Sequence, residues 1–381
     1  MRAEVIFWPL ALLYILLALL SKLTFPELGR PEVLPLAYAL AFLVFMALGF
    51  VIVNRIPETV RGMTYLSLFS IVLLATNLTV FLISLPLFIL LALFIICGTE
   101  TGPERSLFLL PLLTIYGSRT KLGRSFYILG IALLVILPTL AILLAGVPLL
   151  KPASRFSSFR FLYLASGYIA VILLSVRPDW KVLLWGIAIG VVSTFRTVVL
   201  GVVLAYTFGL LLGRKRPKVG PLIAIALGLL LAFLVRYHTT LSSYSTWHLG
   251  IAETILYRPG VTYTVYERLF NLGFPWGKGW ILLSDSPKLY VGRLFGRDVG
   301  YTYTLFGQPA YDLGLIGLFE GLLLGMAFRD SLRLKETGVI SLTLLTLAIP
   351  IGLDAFFFSA LMVLGSIPTE VVSCWTKRLC H

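Results

Sequence analysis

Apolar runs, bounded by charged residues, glycine or proline, recur along the whole chain of 381 residues. A hydrocarbon core of about 30 Å takes roughly 20 apolar helical residues to cross, fewer where the helix is short and buried among others. Runs matching that pattern occupy 5–22, 34–53, 64–80, 83–98, 126–149, 160–176, 181–195, 197–213, 219–235, 311–328, 339–353 and 355–373. They predict an all-α polytopic membrane protein of about 12 transmembrane helices. Two places leave alternatives. Residues 64–98 form either a hairpin or one long tilted helix, with Leu107 to Tyr116 then supplying the missing crossing. The last two runs meet at Pro350, Gly352 and Asp354, either in a turn or in a broken helix. Residues 236–305 interrupt the pattern as one long hydrophilic loop. Within it, Glu253 to Asn271 reads as a short amphipathic helix lying on the surface.

The short loops orient the chain. Arg55 with Arg61, Arg119 to Arg124, Arg214 to Lys218, Arg329 to Lys335, and Lys377 with Arg378 all fall on one side when spans alternate. By the positive-inside rule that side is the cytoplasm, which also places both termini there and the 236–305 loop outside. The first run, Val5 to Leu20 behind Arg2, lacks an A-x-A cleavage site and reads as a permanent helix rather than a secretion signal.

Composition agrees, with 59% hydrophobic and 13% charged residues, a balance that excludes an ordinary soluble domain. The whole chain reads as a single integral membrane domain, 1–381. Cys97, Cys374 and Cys380 stand at no metal-ligand spacing and read as packing residues or reduced thiols. No H-E-x-x-H, G-x-S-x-G or phosphate-loop pattern occurs, so metalloprotease, serine hydrolase and ATPase readings lack their chemistry. No metal, cofactor or nucleic-acid partner is expected.

Arginine placement adds a candidate chemistry. Arg196 stands inside the apolar run Val182 to Gly213. As one straight helix that run would be roughly 48 Å long, so two short spans meeting at Ser193-Thr194-Phe195-Arg196-Thr197 fit better, with Arg196 at the outer end. The outer loop carries Arg236, Arg258, Arg268, Lys278, Lys288, Arg293 and Arg297 against Glu253, Glu267, Asp285 and Asp298. A planar guanidinium fork pairs with carboxylate or phosphate oxygens, so the preference for arginine predicts an extracytoplasmic anion site. Pairing with the loop's acids, or snorkelling to lipid headgroups, is the alternative for any single one. Tyr and Trp are dense in the loop, where a membrane-interface belt accounts for most of them. His238, His248, Glu253 and Asp298 are the titratable candidates for a base.

Residues 300–329, GYTYTLFGQPAYDLGLIGLFEGLLLGMAFR, end the loop with an acidic-aromatic pair, D-x-G-x-x-G, and a helix with Gly317, Gly321 and Gly325 four apart. A neighbouring helix can approach closely along such a stripe. This stretch resembles the region near the C-terminus of oligosaccharide repeat-unit polymerases of the Wzy type, in the O-antigen polymerase and ligase superfamily of GT-C-like membrane glycosyltransferases. Tyr311, Asp312, Gly314 and Gly317 match the pattern. The STFRT turn, followed by a basic loop, one more span and a long outer loop, is similar to the family arrangement, and the likeness covers about residues 180–330.

The resemblance implies polymerisation of polyprenyl-diphosphate-linked oligosaccharides outside the cytoplasmic membrane, without a metal or nucleotide sugar. The partners implied are the lipid-linked oligosaccharides, the lipid bilayer, a flippase and a chain-length regulator. Arg196, Arg236, Arg258, Arg293 and Arg297 would then bind diphosphate, His248 or Glu253 would act as base, and Tyr301, Tyr303, Tyr311 and Asp312 would contact glycan, with 236–305 roofing the active-site cavity. An O-antigen ligase moves finished glycan to a different acceptor and is the near alternative. A transporter or flippase for the same lipid would show inverted repeats and midplane charges, and neither is evident in the sequence. A membrane cysteine protease would need an outward-facing cysteine, whereas all three are expected near the cytoplasmic side.

Overall fold

The computed structural model describes residues 4–76, 121–151, 154, 157–213, 216, 219–243 and 248–366, and every regular element among them is helical. In chain order these are α1 (Glu4–Thr24), α2 (Val33–Ile52), α3 (Glu58–Thr76), α4 (Lys121–Ala145), α5 (Phe161–Val176), α6 (Trp180–Val192), α7 (Arg196–Leu212), α8 (Val219–Ser243), α9 (Ile251–Gly273), α10 (Pro287–Leu294), α11 (Gly307–Leu313), α12 (Gly317–Ser331), α13 (Lys335–Ile351) and α14 (Ala355–Ser366). Each apolar helix shows two faces. On α1, Phe7, Ala11, Ile15 and Ala18 are buried, whereas Leu12, Leu13, Leu16 and Leu20 are exposed. An outward face of leucines suits contact with lipid tails, which are as apolar as the side chains themselves.

Among the described residues four segments are long and apolar enough to cross a membrane: Ile6–Thr24, Val33–Arg55, Tyr127–Ala145 and Gly307–Ser331. Shorter apolar helices add Val60–Val72, Phe161–Val176, Trp180–Val192, Arg196–Leu212, Val219–Val235 and Ala355–Ser366. The protein is therefore polytopic and all-α, while the expected total of about 12 is reached only by counting short helices and runs outside the described residues. Residues 77–98, Leu107 to Tyr116 and 367–373 are among the latter.

Three expectations need correction. The span expected at 311–328 is present within Gly307–Ser331 but is built from two helices. Α short helix, α11, ends at Leu313, a 3-10 turn covers Gly314–Ile316, and α12 starts at Gly317. Gly314 has φ +58°, a left-handed value that stops α11. The short surface helix expected within Glu253 to Asn271 instead fills the whole stretch, from Ile251 to Gly273, and is buried along one face, where Thr254, Tyr263, Tyr266, Glu267, Leu269 and Phe270 turn inward. Finally, α8 passes the expected end of its apolar run and continues to Ser243, so Arg236, Tyr237 and His238 are helical.

The chain divides into two compact units. The described residues from Lys121 to Ile251, with Lys335–Thr343, form one. Its neighbouring helices meet over glycines: a Cβ at Gly167 of α5 would lie 2.8 Å from Val198 of α7, at Gly186 of α6 2.8 Å from Val202, and at Gly228 of α8 2.6 Å from Ile187. Trp185 Nε1 donates to the Leu134 carbonyl at 2.9 Å, satisfying the indole away from water.

The second unit comprises the described parts of Glu4–Gly102, Ala252–Leu334 and Leu344–His381. Its axis is the contact of α2 with α12. Tyr38, Phe42 and Met46 of α2 face Gly317, Gly321 and Gly325 in turn, so the two helices run parallel. A Cβ at Gly325 would overlap the Met46 carbonyl, one at Gly321 would stand 3.0 Å from the Phe42 carbonyl, and Gly49 of α2 admits the Leu322 carbonyl in return. At the C-terminal end of α2, Asp330 accepts from Tyr65 Oη at 3.0 Å and pairs with Arg61 at 3.2 Å and Arg333 at 2.9 Å. Arg61 of α3 and Arg333, just after α12, thus meet at one end of this unit. At the opposite end, Lys22 forms a buried ion pair with Glu267, whose other oxygen accepts the Glu32 N–H at 3.0 Å. This network docks α9 on the α1–α2 connection.

Gly325→Leu is expected to lower the thermal midpoint of the detergent-purified protein, since overpacking costs about 1–3 kcal/mol. Lys22→Met is expected to cost about 3 kcal/mol or more by stranding Glu267, and the double variant Lys22→Met with Glu267→Leu to recover part of that loss. Differential scanning fluorimetry of the four proteins checks both expectations.

Candidate functional site

In the first unit, α6 and α7 meet at the turn expected from the sequence. Ser193 closes α6, its N–H donating to Ile189 at 2.9 Å, and Thr194 takes φ +58°. Among non-glycine residues this value is uncommon and costs energy, which the surrounding packing must offset. Phe195 is extended, and Arg196 is the first residue of α7. The Leu149 N–H donates to the Val192 carbonyl at 3.1 Å and steadies the turn from outside. The Arg196 side chain is half-buried. The Val198 N–H donates back to the Phe195 carbonyl at 3.0 Å and closes the first turn of α7.

Near the end of α8, Tyr237 Oη donates to the Leu249 carbonyl at 3.1 Å and ties the helix to the segment carrying His248. Arg236 lies one residue earlier on α8. His238 and His248 are both exposed. Tyr244 and Trp247 lie outside the described residues.

The remaining predicted residues belong to the second unit. Glu253 is exposed in the first turn of α9, and Arg258 is half-buried beside Pro259. Arg268 lies over the Phe295 ring at 5.8 Å. Arg293 is paired with Asp298 at 3.2 Å, with both side chains largely exposed, and Arg297 is exposed nearby. Such a surface pair contributes little to stability.

Tyr301, Tyr303, Tyr311 and Asp312 gather around the segment that leads into α11 and α11 itself. Tyr303 and Tyr311 form a cluster with Val265, Leu269, Ile281 and Val291, against which Tyr290, Phe295 and Tyr301 pack. Tyr303 Oη donates to the Leu353 carbonyl at 3.0 Å, and burial pushes the phenol above its ordinary range. Its N–H and that of Leu305 donate to Ile351 and Ile349, laying the strand-like segment 301–306 along the end of α13. There Asp354 accepts the Phe357 N–H at 2.9 Å and starts α14. Burial raises the Asp354 carboxyl, opposed by backbone N–H donors and the Lys288 charge. Burial likewise raises Glu267, opposed by hydrogen bonds from Lys22 and Glu32.

Asp312 serves a backbone rather than standing free. Its oxygens accept the N–H groups of Ile281 at 2.7 Å and Leu282 at 2.9 Å, and Gln308 Nε2 at 3.0 Å. Gln308 also reaches Glu320 at 3.4 Å. Phe274-Pro275-Trp276-Gly277-Lys278-Gly279-Trp280 is held against the same turn. The Lys278 N–H donates to Tyr311 at 2.8 Å and the Leu315 N–H to Pro275 at 2.9 Å. Gly277 (φ +83°) lies on the Asp312 carbonyl, Gly279 under the Tyr311 ring, and Gly314 against the Pro275 carbonyl.

Sequence reasoning missed this clamp, along with Lys22, Gln308 and Glu320. Alternating Trp and Gly in WGKGW was its visible signal. Glu320, an acid inside an apolar glycine-striped helix, was another, because buried ionisable groups in such helices are costly and rarely idle. Among the described residues no group of three or more His, Cys, Asp or Glu could hold a metal ion.

Apolar helices in two compact units define an all-α polytopic membrane protein. Residues 3–353 match the family model described as "Putative O-antigen polymerase". The chain belongs to that O-antigen polymerase family. No curated relative and no solved structure shows a significant match.

Gly314 and Gly296 both have positive φ, yet a Cβ at Gly296 meets nothing within 4 Å. Gly314→Ala is therefore expected to lower the thermal midpoint more than Gly296→Ala. The latter bears only the left-handed backbone cost of roughly 1–2 kcal/mol, and paired unfolding scans compare the two.

Proposed function

We propose that this protein is a membrane glycosyltransferase that polymerises polyprenyl-diphosphate-linked oligosaccharide repeat units on the extracytoplasmic face of the cytoplasmic membrane. The observation that carries this reading is family membership over residues 3–353. In the reaction the anomeric C–O bond of the donor breaks and its electron pair leaves with the diphosphate. The acceptor hydroxyl forms the new glycosidic bond and gives its proton to a base.

Guanidinium groups supply the electrostatics. Charge grows on the departing diphosphate, and preorganised cations stabilise that charge more than they stabilise the ground state. Arg196 is the foremost candidate, since it is half-buried at the start of α7 where helix N–H groups also favour anions. Arg258, half-buried in α9, and Arg236, late in α8, are further candidates. Arg293, with an exposed carboxylate partner, and exposed Arg297 suit a peripheral role in attracting the anionic substrate. No metal is required in this scheme. His248 or Glu253, both exposed, takes the acceptor proton. Tyr301, half-buried at the edge of the cluster, lines the glycan path, whereas Tyr303, Tyr311 and Asp312 support it from beneath; a flippase and a chain-length regulator would work upstream and alongside.

Arg196→Ala is expected to cut chain elongation by on the order of 100-fold while the protein still inserts and stays monodisperse. Arg236→Ala is expected to do the same. Arg196→Lys restores only part of the loss, because a point charge does not replace a bidentate fork. The measurement is the product ladder from purified protein and lipid-linked repeat unit. Near-normal ladders from both alanine variants would remove the diphosphate assignment. Single transfer to a different acceptor would identify a ligase.

A further inference from the structure

Trp276 and Trp280 are 81% and 66% exposed, with exposed Lys278 between them. Two indoles left outside the protein's own packing call for a partner beyond it, either the lipid interface or a ligand. The backbone beneath them is held firmly. Lys278 N–H donates to Tyr311, Ile281 and Leu282 N–H groups to Asp312, and Leu315 N–H to Pro275. Glycines 277, 279 and 314 allow backbone and ring to approach where any Cβ would collide. The exposed side chains thus project from a platform whose own freedom has already been removed.

Rigidity decides between two uses of such indoles. An aromatic residue that only rests at the lipid interface gains nothing from a fixed backbone, because headgroups are fluid and have no set geometry. A sugar ring stacks on an indole face in one arrangement, and fixing that face beforehand lowers the ordering cost of binding. Lys278 adds a donor and a cation for the polar or anionic groups of the saccharide.

We propose that Trp276, Lys278 and Trp280 form a saccharide-binding subsite, and that Asp312 is the positioning residue that fixes it through the Ile281 and Leu282 N–H groups. The assignment deepens the polymerase reading and rests on it for the identity of the ligand. Asp312 touches no sugar in this scheme. Its carboxylate acts through the loop, which explains an acid adjoining a turn that only glycine at 314 permits.

The test uses full-length protein in detergent and lipid-linked repeat unit isolated from the membranes of cells that make this protein. Two readouts are taken, binding of that lipid by microscale thermophoresis and the KM and kcat of ladder formation. Trp276→Ala and Trp280→Ala are each expected to weaken binding and raise KM on the order of ten-fold, leaving kcat within about two-fold; a ten-fold change corresponds to 1.4 kcal/mol. Asp312→Ala is expected to give the same split. Asp312→Asn should fall between it and the unaltered protein, because an amide oxygen can still accept one of the two N–H groups. A loss of kcat with unchanged KM in the Asp312 variants would assign Asp312 a different role and overturn the positioning. If Asp312→Ala fails to fold, the exposed tryptophan variants decide the subsite and Asp312→Asn the positioning.

Unchanged binding and KM in both tryptophan variants would overturn the subsite. So would a loss of brominated-lipid quenching in nanodiscs without any change in saccharide binding, which marks a lipid anchor. If the unaltered protein binds the lipid-linked saccharide but makes no ladder, the polymerase reading falls and the subsite stands. If it makes a ladder and the variants bind normally, the subsite falls alone.

Discussion

The close approach of α2 and α12 governs the second unit. Helices in lipid receive no hydrophobic reward for meeting, so they associate where dispersion contacts and complementary shape are best. Glycines at 321, 325 and 49 bring backbone carbonyls of one helix onto the Cα atoms of the other, and Gly317 admits the Tyr38 hydroxyl. Nothing larger fits. This contact sets where α12 begins, and the turn before it must therefore lie at a fixed point beside α2. Tyr38 Oη, donating to the Gly314 carbonyl at 2.9 Å, couples the two directly.

From that turn the polar architecture extends outward by backbone contacts. Gly314 receives the Pro275 carbonyl, Tyr311 receives Lys278, and Asp312 receives Ile281 and Leu282. A loop at a membrane boundary has many N–H and C=O groups and few regular partners for them. Here those groups are satisfied by a carboxylate and by neighbouring backbone, so the loop is a built element instead of a slack connection. Packing of Val265, Leu269, Ile281, Val291, Tyr303 and Tyr311 then gives it a small core of its own.

The first unit solves a different problem. Its seams of Gly167, Gly186, Gly190 and Gly228 let short helices pack tightly, and the STFRT turn places a permanent cation where α7 starts. Arginine cannot shed its charge to ease burial. The first unit thus holds a guanidinium beside a turn in which Thr194 takes a left-handed backbone.

Much of this was legible from residues alone, because hydropathy and helix formation are local properties. The apolar runs, the turn at Arg196 and the glycine stripe all follow from spacing along a few turns of chain. The stripe did not reveal its partner, since a row of glycines describes only its own face, and α2 lies more than 250 residues away in sequence. Hydropathy also misplaced the end of α8. A helix continues wherever its own hydrogen bonds continue, whereas the edge of an apolar run marks only where lipid would stop. Residues such as Asp312, Trp276 and Lys22 carried no decisive signal either, for a side chain's role depends on which distant backbone or charge it meets. Local pattern determined that this chain lives in a membrane as helices; long-range packing alone decided which buried polar groups find partners and which aromatic rings are left facing outward.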